Sequence, residues 1–162
     1  LDAHADLRDD YLGVGLSHAC VIHRCWDIVG DNRIFQFGIR SGDRQELDWG
    51  KAHVKTTMFD FDGLSDTLNS LKGKPVYFTV DLDVLDPSVF PGTGTPEPGG
   101  VSFEELRKAV TMVCSNANVI GLDVNELNPH YDQSGVSTIV ACKIVREMLI
   151  ALYENKFSQK ED

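Results

Sequence analysis

Short apolar runs and longer stretches of helical periodicity alternate along this chain. Residues Ile34 to Ile39, Val76 to Val80 and Val119 to Val124 are compact and rich in β-branched and aromatic side chains. Bounded by polar turns, they predict buried strands. A weaker strand is expected near Val54 to Met58, after a short polar connection. Ser17 is placed to cap a helix over about 18–29, with Ala19, Ile22, Cys25 and Trp26 on one face. Leu64 to Leu71 reads as a helix closed by Gly73. Ser102 and Glu105 have the S-x-x-E spacing of a capping box and open a helix to about Asn116. Thr138 to Tyr153 predicts a long amphipathic helix, and the polar tail after Asn155 is expected to fray. Strands alternating with helices imply an α/β fold, with a parallel sheet and helices on both faces. Ligands of such sheets sit at the carboxyl ends of the strands.

Composition narrows the class. The 162 residues suffice for one domain, and 42% of them are hydrophobic. No apolar run reaches the ~18 residues that span a bilayer, so no membrane partner is expected. The net charge of -10 disfavours a nucleic-acid partner. It suits bound metal ions or a small cationic substrate. Cys20, Cys25, Cys114 and Cys142 form no C-x-x-C pair and read as small buried hydrophobes of a reducing, cytoplasmic setting. The chain opens on Leu1-Asp2 without a start methionine, so an upstream part is expected.

Acidic clusters recur at presumed strand ends: Asp2-Ala3-His4-Ala5-Asp6, Asp81-Leu82-Asp83 and Asp123-Val124-Asn125-Glu126. In extended backbone, residues at i, i+2 and i+4 share one face, which puts Asp2, His4 and Asp6 together and repeats the spacing at Asp81 and Asp83. Crowded carboxylates repel one another unless cations sit among them. Four carboxylates and one imidazole are too much charge for one metal and about right for two. Such a donor set suits Mn²⁺ or Mg²⁺. For a single Asp, a solvated loop is the simpler reading; for five ligand types in two matched sets it is not. Glu126 could grip a planar cation through two parallel hydrogen bonds, or simply be solvated. His18 could carry protons beside the metals, or merely cap a helix. The stiff segment Pro91 to Gly100 is a candidate pocket wall. Arg8 and Asp9 could line the pocket rim or form an exposed ion pair.

These clusters resemble the motifs of the ureohydrolase (arginase/agmatinase) family. Asp2-Ala3-His4-Ala5-Asp6 is similar to its D-A-H-x-D motif, Asp81 to Pro87 to D-x-D-x-x-D-P, and Gly121 to Pro129 to its last strand-end motif. The resemblance implies a three-layer α/β/α sandwich around a mostly parallel sheet. It implies two Mn²⁺ ions, bridged by Asp2 and Asp81, with Asp6 completing one ligand set and His4 and Asp83 the other. Water activated between the metals would attack a guanidinium carbon. Glu126 and His18 would bind the substrate, and with Asp83 they make up the expected catalytic set, His18 passing a proton to the leaving amine.

Within the family, Arg8 stands where arginases carry an Asn, while the Ser17-His18-Ala19 and T-P-E-P-G-G segments look more like agmatinase. The expected reaction is agmatine plus water to putrescine plus urea. A formimidoylglutamase or another guanidino-acid hydrolase is the alternative. The family's Gly-Gly-x-His metal ligand and first strands have no counterpart in these residues, so 1–162 is expected to be the C-terminal part of one domain. A catalytically dead interaction or assembly module is the other alternative. The family resemblance implies a homo-oligomer, trimer or hexamer, for the full-length protein.

Overall fold

A computed structural model describes residues 1–157. The strands among these residues are β1 (Phe35–Ile39), β2 (Lys55–Met58), β3 (Pro75–Asp81) and β4 (Asn118–Asn125). β1 pairs with β2 and β3 with β4, both in parallel. The segment Leu1 to Ala3 lies between the two pairs. Its first nitrogen donates to Thr79 O at 2.9 Å, and Leu1 O accepts from Asp81 N at 2.8 Å. On the other side, Asp2 N donates to Phe37 O and Ala3 O accepts from Arg40 N. The D-A-H-x-D motif therefore begins as a central rib of the fold, hydrogen-bonded on both flanks.

The helices are α1 (Val21–Val29), α2 (Arg44–His53), α3 (Leu64–Ser70), α4 (Phe103–Asn116) and α5 (Val136–Phe157). Helices α3, α4 and α5 pack with β3 in the larger core cluster, through Leu68, Leu106, Val110, Ile144 and Met148 against Phe78 and Val80. Ile22 of α1 and Leu47 and Trp49 of α2 pack against a smaller cluster of Ala5, Leu7, Ile39 and Val54. Helices thus flank parallel strands in an α/β sandwich. No helix among the described residues is long and apolar enough to cross a membrane.

Several expectations need correction. The connection after β1 contains helix α2, capped reciprocally by Asp43 and Glu46. Its polar surface hid the helical period, but its D-x-x-E box was readable. The first helix begins as a tight 3₁₀ turn at His18–Cys20, because the Ser17 hydroxyl accepts from Ala19 N at 3.2 Å. The last helix runs past Tyr153 to Phe157: the Asn155 amide donates to Cys114 O at 2.9 Å and Tyr153 stacks on Phe157, while most of the tail expected to fray is not among the described residues. Residues 158–162 lie outside the described residues. Helix α5 buries Ala141, Ile144, Met148 and Ala151, yet Ile139, Leu149, Ile150 and Tyr153 are exposed, so its outer face is not polar. Cys20 and Cys114 are buried as expected, whereas Cys25 and Cys142 are exposed; all four are free thiols.

Candidate metal centre and adjoining cavity

After β3 the chain tightens into a 3₁₀ turn at Leu82–Val84 and buries Asp83 completely. Gly38 of β1 passes directly beneath this turn; a Cβ there would collide with Val84, and φ is +87°. That close approach, open only to glycine, lets the turn settle against Leu1 to His4. Ala3 N then points at Asp83 Oδ1, at 3.4 Å. Asp83 therefore reaches the site from a turn, not from extended backbone. Asp6 departs from extended backbone too, with φ +52°. Left-handed backbone at a non-glycine residue costs about 1–3 kcal/mol and concentrates at functional positions.

Five predicted ligands converge. Ligand atoms of Asp2, His4 and Asp83 lie within 4.8 Å of one another, and so do those of Asp2, Asp6 and Asp81. Asp2 is common to both triads, while Asp81 groups with Asp2 and Asp6. His4 Nδ1 is 3.1 Å from Asp83 Oδ2 and 3.6 Å from Asp2 Oδ1. Asp83 Oδ2 is buried, and no donor meets it in hydrogen-bond geometry. A buried carboxylate oxygen without a partner is costly. Neighbouring ligands of an octahedral divalent ion at about 2.1 Å lie about 3.0 Å apart. The oxygen–nitrogen donor set and the spacing of His4 and Asp83 fit such an ion.

Electrostatics agree with the geometry. Burial pushes the Asp6 carboxyl up to about 8 and that of Asp81 up to about 7, and the Asp2 charge adds to both. Burial also raises Asp2. The carboxylates of Asp2 and Asp83 raise His4 to about 10. Without cations these groups hold on to protons; divalent charge would replace the protons.

Glu126 and His18 stand apart from the triads. Glu126 follows β4 with φ +66° and is partly buried. Burial, then the Asp83 and Asp2 charges, raises its carboxyl, while His18 and His4 pull it down. His18 is exposed, and its ring meets Tyr11 edge-on at 5.6 Å. The loop over 91–100 is tied down at several points. Gly92 N donates to the Ser137 hydroxyl at 2.9 Å, and Gly92 O accepts from Asn128 N. Asp86 accepts from Gly99 N and Gly100 N. Glu97 O accepts from Arg40 at 2.7 Å.

Arg40 was not singled out from the sequence. Its half-buried guanidinium also donates to Asp83 O at 2.7 Å and to Val84 O and Leu85 O, pinning the 3₁₀ turn to the loop. Its place one residue past a strand end was the available signal.

A cavity of about 340 Å³ opens beside Leu7 and Arg8, one and two residues past Asp6, with Asp10, His23, Asp43 and Trp49 in its wall. Arg8 leans on Glu46 at 3.3 Å and Asp43 at 3.5 Å, so its charge is already matched. Asp9 pairs with Arg24 at 2.6 Å. Arg8 and Asp9 thus line the cavity and form ion pairs at once.

The arginase family profile matches residues 1–151. The agmatinase of Bacillus anthracis is 44% identical over 154 residues, covering 93% of this chain and 53% of that protein. The human mitochondrial guanidino acid hydrolase is 33% identical, over 94% of this chain and 46% of its own length. A crystal structure from Clostridium difficile, provisionally assigned as an agmatinase, superposes with TM-score 0.90 at 51% identity, over 93% of this chain and 56% of that one. The chain thus spans about half the length of the relatives it matches. With the motifs, the fold and the profile in agreement, the chain belongs to the arginase family.

Proposed function

We propose that the full-length protein hydrolyses agmatine to putrescine and urea, using two Mn²⁺ ions held by Asp2, His4, Asp6, Asp81 and Asp83. Residues 1–162 are the C-terminal part of its single catalytic domain, and the protein works in the cytoplasm as a homo-oligomer. The observation that carries this reading is the pair of triads sharing Asp2, with the buried Asp83 Oδ2 left without a hydrogen bond. The chemistry supplied by two divalent ions is acidification of a water at neutral pH and neutralisation of developing charge. Glu126 accepts two guanidinium N–H groups, a planar match that positions the carbon. His18 delivers a proton to the departing amine.

Agmatine is preferred to formimidoylglutamate and guanidino acids because a relative at 44% identity is an agmatinase, whereas the guanidino acid hydrolase is 33% identical. The test is urea release by Mn²⁺-loaded, full-length protein across a substrate panel. Agmatine is expected to be turned over most efficiently. Turnover of a guanidino acid or formimidoylglutamate without urea from agmatine rejects the assignment. Mn²⁺ uptake without turnover of any of these substrates supports an assembly module instead.

A further inference from the structure

One face of the β3–β4 pair carries a chain of hydrogen bonds that ends on a predicted metal ligand. The parallel register sets Tyr77 opposite Gly121, Thr79 opposite Asp123 and Asp81 opposite Asn125. Alternate residues share a face, so these side chains form a ladder. At its base, the Tyr77 ring lies over Gly121, where a Cβ would come within 2.9 Å of the ring. The missing side chain lets Tyr77 lie flat and its hydroxyl donate to Asp123 Oδ2 at 2.7 Å. Thr79 Oγ1 donates to the other oxygen, Asp123 Oδ1, at 2.5 Å. Asp123 is thereby fixed in orientation. The Asn125 amide donates to Asp123 Oδ1 at 2.7 Å and to Asp81 Oδ1 at 3.2 Å.

An amide NH₂ has two donors and no charge. At position 125 it can bridge two carboxylates. An aspartate there would repel both, and an aliphatic residue would bridge neither. Neither the motif resemblance nor the acidic pattern assigned Asn125 a role, because next to Asp123 and Glu126 it looks like a spacer.

We propose that Asn125 is a positioning residue, which takes its own orientation from Asp123 and aims the Asp81 carboxylate into the triad with Asp2 and Asp6. Groups behind metal ligands commonly change affinity 10- to 100-fold when removed, because they preset the ligand's orientation. The inference rests on the metal reading above and adds a residue that never touches the metal or the substrate. Tyr77 and Thr79 act further back along the same line, each by holding one oxygen of Asp123.

The experiment is a calorimetric titration of metal-free, full-length protein with MnCl₂, alongside the Mn²⁺ electron paramagnetic resonance spectrum. Wild type is expected to take two equivalents and to show the spectrum of a coupled pair. Asn125→Leu, close in size but without donors, is expected to weaken one binding step about 10- to 100-fold. The thermal midpoint of the metal-free protein should stay near the wild-type value, which a purely structural role would not give. Tyr77→Phe keeps the ring and removes only the far hydroxyl, so the same step should weaken by about threefold, the worth of one hydrogen bond. This mild variant keeps the test open if Asn125→Leu folds poorly. In the double variant, Tyr77→Phe should add nothing, because the chain is already cut. Wild-type affinity for both equivalents in Asn125→Leu overturns the inference while leaving the metal reading intact. A wild-type protein that takes up no Mn²⁺ overturns both.

Discussion

At the strand ends His4 lies between Asp2 and Asp83; on the flank His53 meets Asp31 at 2.7 Å and stacks on Trp49 at 4.2 Å. Both regions combine imidazole with carboxylate, and residue type alone does not separate them. Their surroundings do. Asp31 is exposed and also accepts from Trp26 Nε1 at 2.8 Å. His23 joins the same stack, 4.3 Å from Trp49, with Nδ1 2.8 Å from Leu7 O. The flank is therefore an aromatic packing cluster with satisfied polar tips. At the strand ends Asp83 is buried and Asp2, Asp6 and Asp81 are partly buried; the acids repel one another, and one Asp83 oxygen lacks a hydrogen-bond partner. Histidine beside aspartate points to a metal where burial leaves lone pairs unanswered, and to packing where water and neighbours answer them.

Substitutions can break this distinction, and the largest effect belongs to Asp83→Asn. Losing a metal-facing carboxylate should remove several kcal/mol of charge stabilisation, on the order of 10³-fold in urea release. Bound Mn²⁺ should drop below two equivalents. Wild-type stoichiometry by metal analysis would erase the difference between the two regions. Trp49→Ala attacks the other side. Removing a largely packed indole should cost about 3 kcal/mol in chemical denaturation, while the folded protein still binds two equivalents. A loss of metal as steep as that of Asp83→Asn would show that the regions are one unit.

Protons give a smaller, graded effect. Burial holds Asp6 near about 8 and Asp81 near about 7, against about 4 for an unfolded carboxylate. Between those limits the metal-free fold binds more protons than the unfolded chain, so its stability falls as pH rises. His4, raised to about 10, stabilises the fold fully below its unfolded value of about 6.5 and loses that contribution as pH climbs to about 10. The metal-free thermal midpoint is therefore expected to fall from about pH 4 to about pH 10. Metal displaces the same protons. Apparent Mn²⁺ affinity should rise about tenfold per pH unit for each proton released, steeply to about pH 8 and more gently to about pH 10. An affinity flat between pH 6 and 9 would contradict the crowding of these acids. The smallest effect is expected from Asp31→Asn, which should leave Mn²⁺ stoichiometry unchanged. Any loss of metal in that variant would draw the flank into the site.

Much of the site was legible because its ligands come in short local patterns. Asp2, His4 and Asp6, like Asp81 and Asp83, sit within five residues of one another, and strand ends are where α/β folds bind ligands. The capping box of α4 was legible for the same reason: Ser102 and Glu105 find each other locally. Helix α2 escaped notice because its surface is polar nearly all round. The left-handed backbone of Asp6 and Glu126 was invisible because both are ordinary side-chain types in conformations that only their surroundings impose.

The sequence by itself determined the ligand inventory, the strand–helix alternation and the excess of negative charge, since spacing and composition are local properties. Tertiary structure alone decided that Leu1 to Ala3 would run between β1 and β3, that Asp2 would belong to both triads, and that Asn125 would face Asp81. Those outcomes depend on register between strands distant in sequence. A shift of one residue would turn each of those side chains to the opposite face.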